Sequence, residues 1–218
     1  MNKNYKKYQS LYLGTEQAKK YKKRQETDFW RRFVSWRQGM AVARELRRYK
    51  WKSSDRLIDI PCGTGILGKM LQPFPFQIVA SDMSEDMMAL AQTAYPIDRK
   101  LDFIKSDITN TPFLRQSFAC VVTLGFLHFA PPEIKRAALS EIAALSSRVA
   151  IISCSIDTPL QQLKHTALSY LKQSRSTAAC PVPFKEIIAE CESQGFRVVR
   201  AFMIVPFLSA TALLVLEK

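Results

Sequence analysis

The sequence predicts an α/β protein: a seven-stranded, mostly parallel, doubly wound sheet whose last strand runs antiparallel, preceded by a helical extension. Three observations carry this expectation. From residue 56 onward, short apolar runs alternate with helical patterns, which a parallel sheet covered on both faces requires. The glycine-rich stretch CGTG at 62–65 closes the first run. The last two runs are joined only by PFLS at 206–209, a link too short for the crossover that parallel neighbours need, so they pair as an antiparallel hairpin.

The strands are placed at 56–60, 76–81, 101–105, 118–124 and 148–154, with the hairpin at 196–205 and 210–216. Runs rich in Val, Ile and Phe, bounded by turn-forming residues, justify each one. Helices are placed between them at 64–71, 84–94, 132–145 and 184–194, with Ser84 and Pro132 as start residues and Gly195 as a stop. The segment 155–184 interrupts the alternation. It carries a helical stretch at 160–173 and the turn CPVP, and is expected to cap the carboxyl ends of the strands, where open α/β sheets bind ligands.

Before the sheet, residues 15–24 are helix-compatible and lysine-dense, and a longer helix is placed at 28–50. Phe29, Phe33, Trp36, Met40, Ala43 and Leu46 recur there at steps of three and four, so this stripe is expected to pack inward, opposite a basic face. Two units follow: a basic helical extension or lid over 1–55 and the sheet domain over 56–218. The net charge of +13 belongs almost wholly to the first unit, since residues 1–56 carry 17 Lys/Arg against 5 Asp/Glu. RNA or an anionic membrane would answer that charge, and a solvated lid face is the third reading.

Five cysteines without a C-x-x-C pair read as reduced thiols in a cytoplasmic protein, and the scarcity of His with close Cys spacing predicts no metal. The apolar run at 202–216 is broken by Pro206 and Ser209 and falls short of the roughly 20 residues of a membrane span.

Residues 57–70, LIDIPCGTGILGKM, parse in two ways. From Gly63 they match the dinucleotide fingerprint G-x-G-x-x-G, completed by Gly68. From Asp59 they read as a strand-end acid followed by C-G-T-G. Glycine turns at a helix start suit either ligand, but a carboxylate at Asp59 suits an ammonium better than a pyrophosphate.

DIPCGTG resembles the first motif of the class I S-adenosylmethionine-dependent methyltransferases, and the resemblance continues closely over about 56–130. It implies a Rossmann-like methyltransferase fold with S-adenosyl-L-methionine as cofactor, held at Asp59, Pro61, Cys62, Gly63, Thr64 and Gly65. Pro61 stands where the family most often has glycine. The resemblance further implies that Asp82 takes the ribose hydroxyls with Met83 on the adenine, that Asp107 and Ile108 contact the adenine edge and ring, and that Leu124 and Gly125 of TLGFLHF lie beside the transferring methyl. His128, in the same stretch, is the candidate general base, with pocket shaping as its alternative. Tyr21 and Arg24 could fold over the cofactor, or belong to a solvated basic helix.

Methyl transfer needs in-line placement in a dry pocket more than acid–base chemistry. The aromatic wall of Phe126, Leu127 and Phe129 favours a small-molecule or lipid-like acceptor. An RNA methyltransferase using the basic face, or a non-catalytic cofactor-binding module, are the alternatives.

Overall fold

The computed structural model describes residues 13–95, 101–157 and 180–218. The expected helical stretch at 160–173, with His165, lies outside them, as does most of the expected cap. Seven strands form one sheet in the order β3-β2-β1-β4-β5-β7-β6. They are β1 (Arg56–Asp59), β2 (Gln77–Asp82), β3 (Leu101–Lys105), β4 (Phe118–Thr123), β5 (Ser146–Ser155), β6 (Arg197–Met203) and β7 (Thr211–Glu217). All pairings are parallel except those of β7, which runs antiparallel to both β5 and β6. One reversed strand is what the short link at 206–209 requires.

Among the described residues six helices flank the sheet: α1 (Thr15–Thr27), α2 (Phe29–Leu46), α3 (Gly68–Leu71), α4 (Glu85–Ala91), α5 (Pro132–Leu145) and α6 (Phe184–Ser193). Alternate strand residues point to opposite faces. Leu57, Ile78, Cys120, Ile151 and Leu213 therefore pack under Val42 and Leu46 of α2, Leu71 of α3 and Met88 of α4. On the other face Ile58, Val121, Ala150 and Leu214 pack under Leu139 and Ile142 of α5 and Ile187 of α6. The strand residues are buried on both faces, which is why these strands read as continuous apolar runs rather than alternating ones. Each fully buried Leu, Ile or Val contributes roughly 1.5–3 kcal/mol.

Several helix boundaries follow local chemistry. Ser84 is the N-cap of α4, its Oγ accepting from Met87 N at 3.3 Å, with Glu85 and Asp86 in the first turn. Pro132 opens α5 as expected. The helix expected over 64–71 is shorter: residues before Gly68 form turns, and only Gly68–Leu71 is helical. The long helix ends at Leu46 rather than at residue 50, and Asp28 caps its start through Arg31 N at 3.0 Å.

The expected packing stripe of α2 is corrected by the structure. Ala43 and Leu46 are buried, but Phe29, Trp36 and Met40 are 78%, 51% and 40% exposed. The face that packs is instead Gln38, Gly39, Val42, Ala43, Glu45 and Leu46. Glu45 can lie there, only 1% exposed, because Arg44, Arg48 and Arg200 surround its carboxylate, with Arg200 Nε at 2.5 Å. The partner that makes Glu45 a core residue is on β6, distant in sequence, so periodicity on α2 alone selected the wrong face.

Candidate active site

The carboxyl ends of β1, β2 and β4 converge where the sheet order reverses between β1 and β4, the position at which open α/β sheets hold ligands. A cleft of about 730 Å³, open to solvent, lies there. Its floor begins with the turn after β1. Cys62 N donates to Ser81 O at 2.8 Å, which ties the turn to β2, and Gly65 N donates to Cys62 O at 3.0 Å. Gly65 has φ +83, and a Cβ there would lie 2.8 Å from that of Ala94. Both the conformation and the close approach of α4's end demand glycine.

Asp82 ends β2 with a fixed carboxylate: Oδ2 accepts from Gly63 N and Oδ1 from Ser84 N, each at 2.9 Å. Burial raises its pKa against the opposing effect of these N–H groups. Each carboxylate oxygen keeps a second acceptor direction. Met83 and Met87 flank it, and Ser106, Asp107 and Ile108 follow from the end of β3. Ser106 Oγ lies 2.6 Å from Ser81 Oγ, whose proton is directed at Ile104 O at 2.7 Å, so the two strand ends are latched together. Asp107 shapes its own turn by accepting from Thr109 N at 2.9 Å and Thr109 Oγ1 at 2.8 Å.

The far wall is Leu124, Gly125, Phe126 and Phe129, and Tyr21 of α1 covers the top. Helix α1 is held there by Thr64 Oγ1 donating to Gln25 Oε1 at 2.9 Å and by Thr15 Oγ1 donating to Asp86 Oδ1 at 2.5 Å. Among the expected site residues, Tyr21, Pro61, Gly63, Asp82, Met83, Asp107, Ile108, Leu124 and Gly125 therefore line one cleft. Met87, Ser106, Phe126 and Phe129 join them. Phe126 and Phe129 are two of the three residues expected as an acceptor wall; the third, Leu127, is instead fully buried in the core, because its side chain packs with the hydrophobic cluster on that face of the sheet. Of Met87 and Ser106, only Ser106 had a sequence signal, its strand-end position.

Asp59, Cys62, Thr64, Gly65, Arg24 and His128 stand outside the lining. Asp59 is buried behind the turn, where Tyr95 Oη donates to Oδ2 at 2.5 Å. Burial pushes its pKa up to about 7, partly opposed by that bond and increased by the charge of Asp82. Cys62 is buried, and burial raises its thiol pKa, so it is a packing residue and not a nucleophile. Thr64 is engaged with Gln25, and Arg24 is exposed on α1.

His128 sits behind the far wall. Its Nδ1 is 2.8 Å from Ser155 Oγ and its Nε2 is 3.1 Å from Ser153 Oγ, while Ser153 Oγ accepts from Gly125 N at 3.0 Å. With that lone pair used, Ser153 can donate to Nε2, which leaves Nδ1–H to donate to Ser155. Burial lowers its pKa to about 4, with Lys135 adding to the shift, so the ring is neutral near pH 7. Lys135 itself donates to Cys180 O, and Cys180 N to His128 O at 2.8 Å. Among the described residues no group of three His, Cys, Asp or Glu is placed to hold a metal.

The cleft fits an adenosine bearing an amino acid. Its buried carboxylate suits a diol, the apolar flanks of Met83 and Ile108 suit a planar base, and backbone at Gly63 and Gly125 faces space in which a Cβ would meet nothing within 4 Å.

Comparison with known proteins agrees with this shape. Residues 57–147 match the family described as methyltransferase domain. A demethylmenaquinone methyltransferase of Clavibacter sepedonicus is 28% identical over 109 residues, covering 49% of this chain and 43% of that protein. The chain thus matches less than half the length of that curated relative. Magnesium protoporphyrin IX methyltransferase from Synechocystis PCC 6803, solved with bound S-adenosylhomocysteine, superposes with a TM-score of 0.75 at 20% identity over 88% of each chain. Human N-acetylserotonin methyltransferase, solved with S-adenosylmethionine, superposes with a TM-score of 0.65 at 14% identity over 97% of this chain and 58% of its own. A strand order with one reversed strand, a glycine turn answering an acid at the end of β2, and these superpositions point one way: the chain has the fold of the S-adenosylmethionine-dependent methyltransferases it superposes on, and its residues 57–147 match a methyltransferase domain.

Proposed function

We propose that this protein transfers the methyl group of S-adenosyl-L-methionine directly to a small-molecule or lipid-like acceptor. The observation that carries the reading is Asp82, a buried carboxylate fixed by backbone N–H groups of Gly63 and Ser84 in the wall of a mostly apolar cleft. Asp82 would accept from both ribose hydroxyls, Met83 and Ile108 would enclose the adenine, and Asp107 would take its amino group. The turn at Gly63 would hold the methionine moiety. Asp59 would reach its ammonium through water, from behind the turn.

When bound, the cofactor supplies an electrophilic methyl on sulfonium sulfur; the chain supplies placement and exclusion of water. Leu124, Phe126 and Phe129 form an apolar wall beside Gly125 and favour an apolar acceptor. Demethylmenaquinone, magnesium protoporphyrin IX and N-acetylserotonin, which the names of the similar proteins carry, are acceptors of that general class. His128 is a positioning residue in this reading. A neutral ring with both nitrogens engaged has no acceptor lone pair left for a substrate proton, and its chain through Ser153 fixes the N–H of Gly125.

Calorimetric titration tests the cofactor half of the proposal. Micromolar binding of S-adenosylmethionine and S-adenosylhomocysteine, about 8 kcal/mol, with none for NADH and a loss of at least about tenfold in Asp82→Ala, is expected. Binding of NADH alone would overturn it. Methyl transfer to quinol, porphyrin and arylamine acceptors, measured against RNA, then tests the acceptor class.

A further inference from the structure

Helix α2 has two apolar faces, and the sheet takes only one. The other carries Phe29, Phe33, Trp36 and Met40 at helical steps, with Trp30 alongside. Phe33 is half-buried, and its ring lies 5.8 Å from Trp30 and 6.3 Å from Trp36, so the aromatic surface is continuous. Two turns beyond Met40 the same line reaches Arg47. Next to this stripe stands the β6–β7 turn, with Phe207 87% and Leu208 68% exposed. Arg37 joins the two, donating from α2 to Ile204 O at the base of the turn at 3.3 Å.

The surround is basic. Arg31, Arg32, Arg37 and Arg44 are exposed on α2, as are Arg47 and Arg48 just past its end and Lys19, Lys20, Lys23 and Arg24 on α1. Arg44, Arg48 and Arg200 share the single carboxylate of Glu45, so that group stays net positive. Burying six large apolar side chains would remove several hundred Å² from water; patches of that size mark docking surfaces.

We propose that this face docks on the surface of an anionic phospholipid bilayer, with Trp36, Met40, Phe207 and Leu208 entering the headgroup boundary and the arginines meeting lipid phosphates. An amphipathic helix with Trp and Phe on one side and Arg and Lys at its margins has the chemistry of an interfacial element. Charge selects this occupant. The segments 1–12 and 158–179 of the chain carry Lys3, Lys6, Lys7, Lys164, Lys172 and Arg175 and no acid, and a second copy would present the same positive face. RNA would satisfy the arginines and stack on the tryptophans, but offers nothing to Met40 or to an aliphatic tip at Leu208. The docking face and the cleft are independent features, so the inference does not rest on the proposed reaction.

The test is co-sedimentation of the full chain with vesicles of phosphatidylcholine alone and of an equimolar mixture with phosphatidylglycerol. Uptake by the anionic vesicles, little by the neutral ones, a decline with added salt, and at least a tenfold loss in both Phe207→Ser/Leu208→Ser and Trp36→Ser are expected. Unchanged melting temperatures would establish that the variants fold. Equal uptake by both vesicle types, no uptake, or uptake indifferent to these variants would overturn the proposal. So would a dimer in solution that the same variants dissolve, or binding to polyuridylate that they abolish while vesicle uptake survives.

Discussion

Substituting Gly68 by alanine sets two known effects against each other. Alanine in a helix is favoured over glycine by up to about 1 kcal/mol, and Gly68 is the first residue of α3 with an ordinary helical backbone. Its surroundings decide the sign. A Cβ there would lie 2.2 Å from Ala94 O, 2.5 Å from Ala94 C and 2.8 Å from Tyr95 N. All three are backbone atoms, so no rotamer relieves the clash, and α3 must move from the chain after α4. Overpacking of this kind costs about 1–3 kcal/mol and occasionally more, so the net loss should be about 2 kcal/mol. For a chain of this size that lowers the melting temperature by roughly 4–8 °C.

The displaced backbone carries Tyr95, whose hydroxyl holds Asp59. Gly68→Ala should therefore also weaken cofactor binding, although Gly68 does not line the cleft. Thermal melts with calorimetry on the same preparations check both parts. A variant as stable as the parent would refute the packing argument, and would return the third glycine of G-T-G-I-L-G to a ligand role.

Asp59 gives a pH prediction. Its folded pKa is raised from 3.8 to about 7, so the folded chain keeps a proton that the unfolded chain releases. Stability from this group is full below 3.8 and is lost as pH rises toward about 7, on the order of 4 kcal/mol in all. Asp59→Asn should raise stability most at pH 8 and hardly at pH 4; urea melts of ligand-free protein measure the difference, and parallel curves would count against it. His128 acts in the opposite sense: its pKa is lowered from 6.5 to about 4, so its contribution is full above 6.5 and is lost as pH falls toward 4. His128→Asn should keep the single-turnover rate within a few-fold and leave the pH–rate profile unchanged, whereas a limb near pH 6–7 that vanishes in the variant would restore the general base. Arg200→Ala should cost about 1–2 kcal/mol, discounted for the arginine's partial exposure, and the double variant Glu45→Met/Arg200→Met should recover most of it; chemical denaturation of the parent and both variants decides.

The inner strands β1, β2, β4, β5 and β7 were legible because burial on both faces makes them largely apolar runs, whereas the edge strands β3 and β6 are half-exposed and carry charges; the reversed strand followed from a link too short to cross over. Acids at strand ends were legible for a related reason: Asp82 and Asp107 are fixed by neighbours one to three residues along the chain or by a glycine turn whose own pattern is visible. What sequence could not place were side chains whose partners are distant. Asp59 faces Tyr95 and Glu45 faces Arg200, both through contacts that no local spacing encodes. His128 sits two residues after Phe126, yet it points at β5 while Phe126 and Phe129 reach the cleft. The aromatic stripe of α2 misled for the opposite reason: its periodicity is real, but periodicity marks an apolar face without saying what covers it.

The reversed β7 also orders assembly in time. Since β6 pairs with β7 alone, it has no place in the sheet until residues 211–217 are available, although it precedes them in the chain. Until then the ten-residue β5 is an edge strand, and such edges invite pairing with other chains. During synthesis the sheet is therefore sealed by its last-made strand, and deleting that one strand would strip the sheet of two.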